Sequence, residues 1–140
     1  MKIYKEVKVM IKAEFLENGR NKITDKSNQE FFTDIAKKFG GYDETGSPSD
    51  LLVAALITCV MSTIESKARI LNINVSGLHA KGDKVVEDDK ITKFVIEYHL
   101  PESLSAEHRE KLEGVAKRCF VGKQLHPDIE KDFTFIYDVK

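Results

Sequence analysis

Apolar and polar residues alternate along the start of the chain. Ile3, Val7, Val9, Ile11, Ala13 and Phe15 occupy odd positions, with Lys5 the exception, and Lys2, Glu6, Lys8, Lys12 and Glu14 fall between them. A period of two predicts a long, half-buried strand from Ile3 to Phe15. Asn18-Gly19 is a hairpin signal that returns the chain as a second strand, Arg20 to Thr24. A short third strand is expected near Phe31–Thr33, and Ile35 to Phe39 fits one helical turn before Gly40-Gly41. Gly40 to Gly46 then reads as a loop.

At Ser47 the period changes. Ser47 suits an N-cap, Pro48 the first helical position, and Asp50 completes a capping box in its shorter acidic form. No Gly or Pro follows until Gly77, so the helix is expected to run to about Leu71. Leu52, Ala55, Leu56, Cys59 and Thr63 share one face at helical spacing. Leu51, Val53, Ile57 and Val60 lie off that face, which predicts a first half buried on most sides and a thiol carried into the core.

After this helix the period of two returns. Asn74 to Glu87 reads as a strand, Asp88-Asp89 as a tight turn, and Ile91 to Leu100 as the partner strand. There Phe94, Ile96, Tyr98 and Leu100 alternate with Lys93, Glu97 and His99, and Pro101 ends the run. Ser105 caps a second helix with Glu107 in its first turn. His108, Leu112, Val115 and Cys119 follow its apolar face, while Arg109, Glu110, Glu113 and Lys117 take the polar sides. Phe133, Phe135, Tyr137 and Val139 mark a last strand. Strands, long helix, strands, second helix and strand make an α+β pattern, and 140 residues without repeat or linker fit a single domain, 1–140.

Composition narrows the partners. A net charge of -1 offers no general attraction to nucleic acid or anionic membranes. No apolar run approaches the roughly 18 residues of a membrane span, and Met1 to Glu6 lacks the apolar core of a signal peptide. The expected location is therefore the reducing cytosol, the cytoplasmic compartment where cysteines are more often working thiols than staples. There is no Walker loop, no GxGxxG and no CxxC, and His79, His99, His108 and His126 lack metal-ligand spacing, so no bound cofactor or metal is expected. What remains is the pair Cys59 and Cys119. Either alone reads as a small core hydrophobe. Two helices over one sheet can bring their apolar faces together, and cysteines with Cα atoms within about 7 Å can form a disulfide. Burial disfavours the thiolate, so a working site needs a cation nearby.

The stretch Gly40-Gly41, Pro48-Ser49-Asp50-Leu51-Leu52, Ala54-Ala55-Leu56 and Cys59 resembles the first-cysteine motif of the OsmC/Ohr family of organic hydroperoxide reductases. Ala116-Lys117-Arg118-Cys119-Phe120-Val121-Gly122-Lys123-Gln124-Leu125 resembles its second-cysteine motif, and the order of elements fits over nearly the whole chain. The resemblance implies an intertwined homodimer with two sites at the subunit interface. It implies that Cys59 attacks a hydroperoxide and becomes a sulfenic acid, that Cys119 resolves it into a disulfide, and that a dithiol such as dihydrolipoamide reduces the product. An apolar pocket around the thiolate would favour alkyl or fatty-acid hydroperoxides.

Two departures from the family stand out. Relatives lower the first cysteine's pKa with an arginine positioned by a glutamate at the start of the central helix, where this chain has Ser49-Asp50. In the Ohr branch that arginine comes from the N-terminal hairpin, which here offers Arg20. In the OsmC branch it comes from the loop before the helix, which here offers Lys37 and Lys38. Arg20 is thus the candidate cation and Asp50 its orienting partner, each with a plain alternative as a solvated hairpin residue and a helix cap. A protein that keeps the fold but binds a lipid-like or aromatic molecule without turnover is the competing expectation. A redox sensor that passes its disulfide to a partner is a third.

Overall fold

A tight turn organises the N-terminal part of the chain. The computed structural model describes residues 11–140, and the part of the first expected strand before Ile11 lies outside them. Asn18 and Gly19 both take positive φ, 46° and 77°, and join β1 (Lys12–Glu17) to β2 (Arg20–Thr24). β3 (Glu30–Thr33) follows, and the three strands pair antiparallel in the order β1-β2-β3. The register aligns Ala13, Ile23 and Phe31 across one face, which Phe15 also joins. Lys22 bridges Glu14 at 2.9 Å and Glu30 at 3.5 Å on the other. The sheet is therefore two-faced as the alternation requires, but the expected half-burial is not met within this chain. Phe15 remains 71% exposed and Phe31 38%.

The expected helical turn is a 3-10 turn at Lys37–Phe39, closed by Gly40 in the left-handed conformation. Behind it lies a buried ion pair. Arg20 Nε and one terminal nitrogen donate to the two oxygens of Asp34 at 2.8 and 2.7 Å, and the same terminal nitrogen reaches Glu44 at 2.7 Å. The Glu44 N–H donates to Asp34 Oδ2 at 3.0 Å, and the Tyr42 ring lies under the guanidinium at 4.7 Å. Asp34 is only 1% exposed, and its charge persists because each carboxylate oxygen has a donor.

The chain divides into two compact units, one up to Leu51 and the other Leu52–Lys140. α1 (Pro48–Ile70) starts as expected: Asp50 N–H donates to Ser47 Oγ at 3.2 Å and Ser47 N–H to Asp50 Oδ2 at 2.8 Å, a reciprocal capping box. Its buried residues are Val53, Leu56, Val60, Ile64 and Ala68, a single stripe at three- and four-residue spacing. Burial on most sides is thus not found, because Ala54, Ala55 and Thr58 are exposed, and the stripe is centred on Val53 and Val60 rather than on Leu52 and Ala55. By length and mean hydropathy, 1.6, α1 is also long and apolar enough to cross a membrane. The expectation of no such run missed this because Thr58, Ser62 and Thr63 interrupt the run without pulling down its average.

β4 (His79–Glu87) begins later than expected, because Asn74 Oδ1 accepts the Ser76 N–H at 2.8 Å and Gly77 takes φ 87°, both turn features. Asp88 and Asp89 make the tight turn, at φ 50° and 62°, into β5 (Lys90–Pro101). α2 (Ala106–Ala116), capped by Ser105 Oγ, and α3 (Phe120–Gln124) lead to β6 (Glu130–Val139). The sheet order is β4-β5-β6, with β5 antiparallel to β4 and parallel to β6. Phe94, Ile96, Tyr98 and Leu100 of β5 join the stripe of α1 and Leu112 and Ala116 of α2 in one core. Arg109 ties α2 to β6: it donates to the carbonyls of Leu104 and Glu102 and lies 4.0 Å over the Tyr137 ring.

The Asp34 pair makes the N-terminal unit sensitive to acid. Bonding to Arg20 holds the Asp34 carboxyl at about 2, against an ordinary 3.8 and despite its burial. Its contribution is therefore complete above about pH 4 and is lost as pH falls towards about 2. Exchange of the Glu44 and Thr45 amides should accelerate across that interval in the native protein. In Asp34→Asn the step should vanish, and hydrogen exchange followed by NMR checks both.

Candidate functional site

The two cysteines meet where a helix begins. Cys119 was expected on the apolar face of the second helix, but α2 stops at Ala116 and Cys119 is extended, at φ -65° and ψ 150°. It is the N-cap of α3. The first N–H groups of any helix lack intrahelical partners, and an N-cap side chain normally accepts one of them through oxygen. Here sulfur takes that place. Gly122 N–H donates to Cys119 Sγ at 3.2 Å, and Val121 N–H donates to Cys59 Sγ at 3.4 Å. One turn of helix thus holds both sulfurs, from residues far apart in the chain. The fit at Gly122 is close, since a Cβ there would stand 3.0 Å from Cys119 Sγ and press the sulfur aside.

Cys119 is only 3% exposed, whereas Cys59 is half-buried against the core. Burial pushes the Cys119 thiol pKa up; the Gly122 N–H opposes this, Cys59 adds to it as a neighbouring charge and hydrogen-bond partner, and Lys131 pulls it down. The thiols are therefore direct neighbours, and burial makes Cys119 hold its proton more firmly than a free thiol.

Sequence reasoning missed two groups near the pair. Lys131 of β6 supplies a positive charge within reach of Cys119, and nothing in the pattern singled it out. Tyr98 of β5 is fully buried, and its hydroxyl has no hydrogen-bond partner. Its pKa is raised, first by burial and then by negative charge on Cys119 and Cys59. The available signal was a hydroxyl at an inward position among Phe94, Ile96 and Leu100.

The other two site candidates lie within the N-terminal unit. Arg20 is engaged by Asp34 and Glu44, and Asp50 caps α1 through Ser47. Among the described residues no group of three or more His, Cys, Asp or Glu could hold a metal ion.

A thiol within a long helix and a second at the start of a short one, joined by that short helix's first turn in a fold with a mixed sheet, define an α+β two-cysteine protein. The family model described as OsmC-like protein matches residues 41–133, and the chain belongs to this OsmC/Ohr family. No curated protein matches it. Among solved structures, an osmotic stress induced and detoxification response protein from Psychrobacter arcticus is 27% identical with TM-score 0.89, over 95% of this chain and 99% of that one. An organic hydroperoxide resistance protein OsmC from Legionella pneumophila is 17% identical with TM-score 0.65, over 96% and 99% of the two chains. The organic hydroperoxide resistance protein OhrB of Bacillus subtilis is 16% identical with TM-score 0.63, over 91% and 96%. These last two share the fold.

The difference between the thiols is measurable. Under reducing conditions Cys59 should alkylate first. Cys119 should follow only slowly, its rate still rising with pH beyond the usual thiol range. Peptide mass spectrometry after timed iodoacetamide quenching resolves the two, and equal rates would contradict the assignment.

Proposed function

We propose that this protein is a thiol peroxidase that reduces organic hydroperoxides through Cys59 and Cys119. The observation that carries the reading is the adjacency of the two sulfurs under one helical turn. Their unequal burial supports the division of labour. Cys59, the more accessible, is the nucleophile; Cys119, protected and protonated, is the resolving thiol. Helix N–H donors favour developing negative charge on either sulfur. The names of the Legionella pneumophila and Bacillus subtilis neighbours point to the same substrate class.

In the first step the Cys59 thiolate attacks the terminal peroxide oxygen. An S–O bond forms, the O–O bond breaks, sulfur loses two electrons, and the alkoxide departs and takes a proton from water to become the alcohol. In the second, Cys119 attacks the Cys59 sulfenic acid, forming the disulfide and releasing water. A dithiol of the dihydrolipoamide type, acting in the reducing cytosol, then returns both thiols by exchange. The apolar core around Cys59 suits alkyl chains.

The reading includes a homodimer. Ala13, Phe15, Ile23 and Phe31 form an apolar sheet face, Phe15 stays largely exposed, and α1 buries only one stripe. Uncovered apolar faces of this kind mark association surfaces.

Two measurements test these statements. Reduced protein mixed with cumene hydroperoxide should lose both thiols; Cys59→Ser should abolish turnover, and Cys119→Ser should leave a sulfenic acid that dimedone traps. Survival of both thiols while a control peroxidase is oxidised would sink the peroxidase reading. By light scattering the protein should weigh twice its 15.9 kDa chain mass, and Phe15→Glu with Phe31→Glu should halve that value.

A further inference from the structure

A buried hydroxyl without a partner is costly, and native proteins keep few of them. Tyr98 carries the one such side-chain group among the described residues. Its ring cannot swing freely, because Phe133 meets it edge-on at 5.5 Å and Phe135 stacks on it at 5.6 Å. A phenylalanine would fill the same space without the cost. The hydroxyl makes no hydrogen bond to either sulfur, yet Tyr98 belongs to the same buried cluster as Cys119, and Cys59 packs against that cluster. A donor buried in the core that carries both thiols, and unpaired in the resting protein, fits a partner that arrives with the substrate.

We infer that the Tyr98 hydroxyl is a catalytic hydrogen-bond donor to the peroxide oxygen that departs as alkoxide. The inference rests on the peroxidase reading. As Cys59 sulfur bonds to the terminal oxygen and the O–O bond lengthens, the electron pair collects on the alkyl-bearing oxygen. Tyr98 stabilises that charge by donating its O–H. Burial holds its pKa above the ordinary phenol range, so it keeps its proton, and the alkoxide is protonated by water. This is the logic of an oxyanion hole: a fixed donor aimed where charge develops rather than where it rests.

The test is Tyr98→Phe, with leaving groups of different quality. With tert-butyl hydroperoxide, whose alkoxide leaves poorly, the second-order rate of Cys59 oxidation should fall by about a hundred- to a thousandfold, the range seen when one such donor is removed. With peracetic acid, whose carboxylate leaves readily, the loss should be several times smaller. The melting temperature of the reduced variant should hold or rise, since no bond is lost. Equal losses with both oxidants, or no loss, would overturn the role of Tyr98 while leaving the peroxidase reading intact. A lower melting temperature would overturn it too, by showing a resting partner for the hydroxyl. Failure of the unaltered protein to react with either oxidant would remove both together.

Discussion

A strand with a neighbour on each edge has its register set twice. β5 pairs antiparallel with β4 and parallel with β6, so a one-residue slip would have to break both ladders. It would also turn Phe94, Ile96, Tyr98 and Leu100 away from the core and bring Lys93, Glu97 and His99 in. The thiol pair depends on that register. Leu56, on the buried stripe of α1, packs in the same core three residues before Cys59 and lies beside Gly122, the residue whose amide serves Cys119. The position of the nucleophile is thus inherited from hydrophobic packing rather than arranged by charges.

Much of this was legible in the chain. Period-two runs give the strands their faces, Asn18-Gly19 and Asp88-Asp89 give the turns, and Ser47 and Ser105 give the helix starts, because each rests on local chemistry within a few residues. The thiol pair was legible through motif resemblance more than through spacing. What escaped has a common cause. The break between α2 and α3, which makes Cys119 a cap rather than a face residue, depends on a sulfur accepting an amide, a role usually taken by oxygen. The unmet burial of Phe15 and of one side of α1 reflects patterning that reports which face is apolar, not what covers it. Lys131 and the Tyr98 hydroxyl matter only through contacts made by distant segments, and no local period encodes those.

Charge is handled differently in the two units. In the N-terminal unit a buried carboxylate, Asp34, is fully engaged by a guanidinium and by backbone amides, so Arg20 is oriented by acids the family pattern did not foretell. Around the cysteines the groups that favour negative charge are amides, with Lys131 as the nearby cation for Cys119. Backbone donors are always present and cannot titrate, so this part of the site keeps its polarity at any pH at which the fold survives.

The parallel pairing of β5 with β6 also orders events in time. The β4–β5 hairpin needs only local closure, whereas β6 must return past α2 and α3 before it can pair, and such long-range closure is slow. α3 lies inside that returning segment. The amides of Val121 and Gly122 that hold the two sulfurs therefore come into place through the same long-range closure that seats β6 against β5, and the seam of the sheet and the seat of the thiols are one assembly.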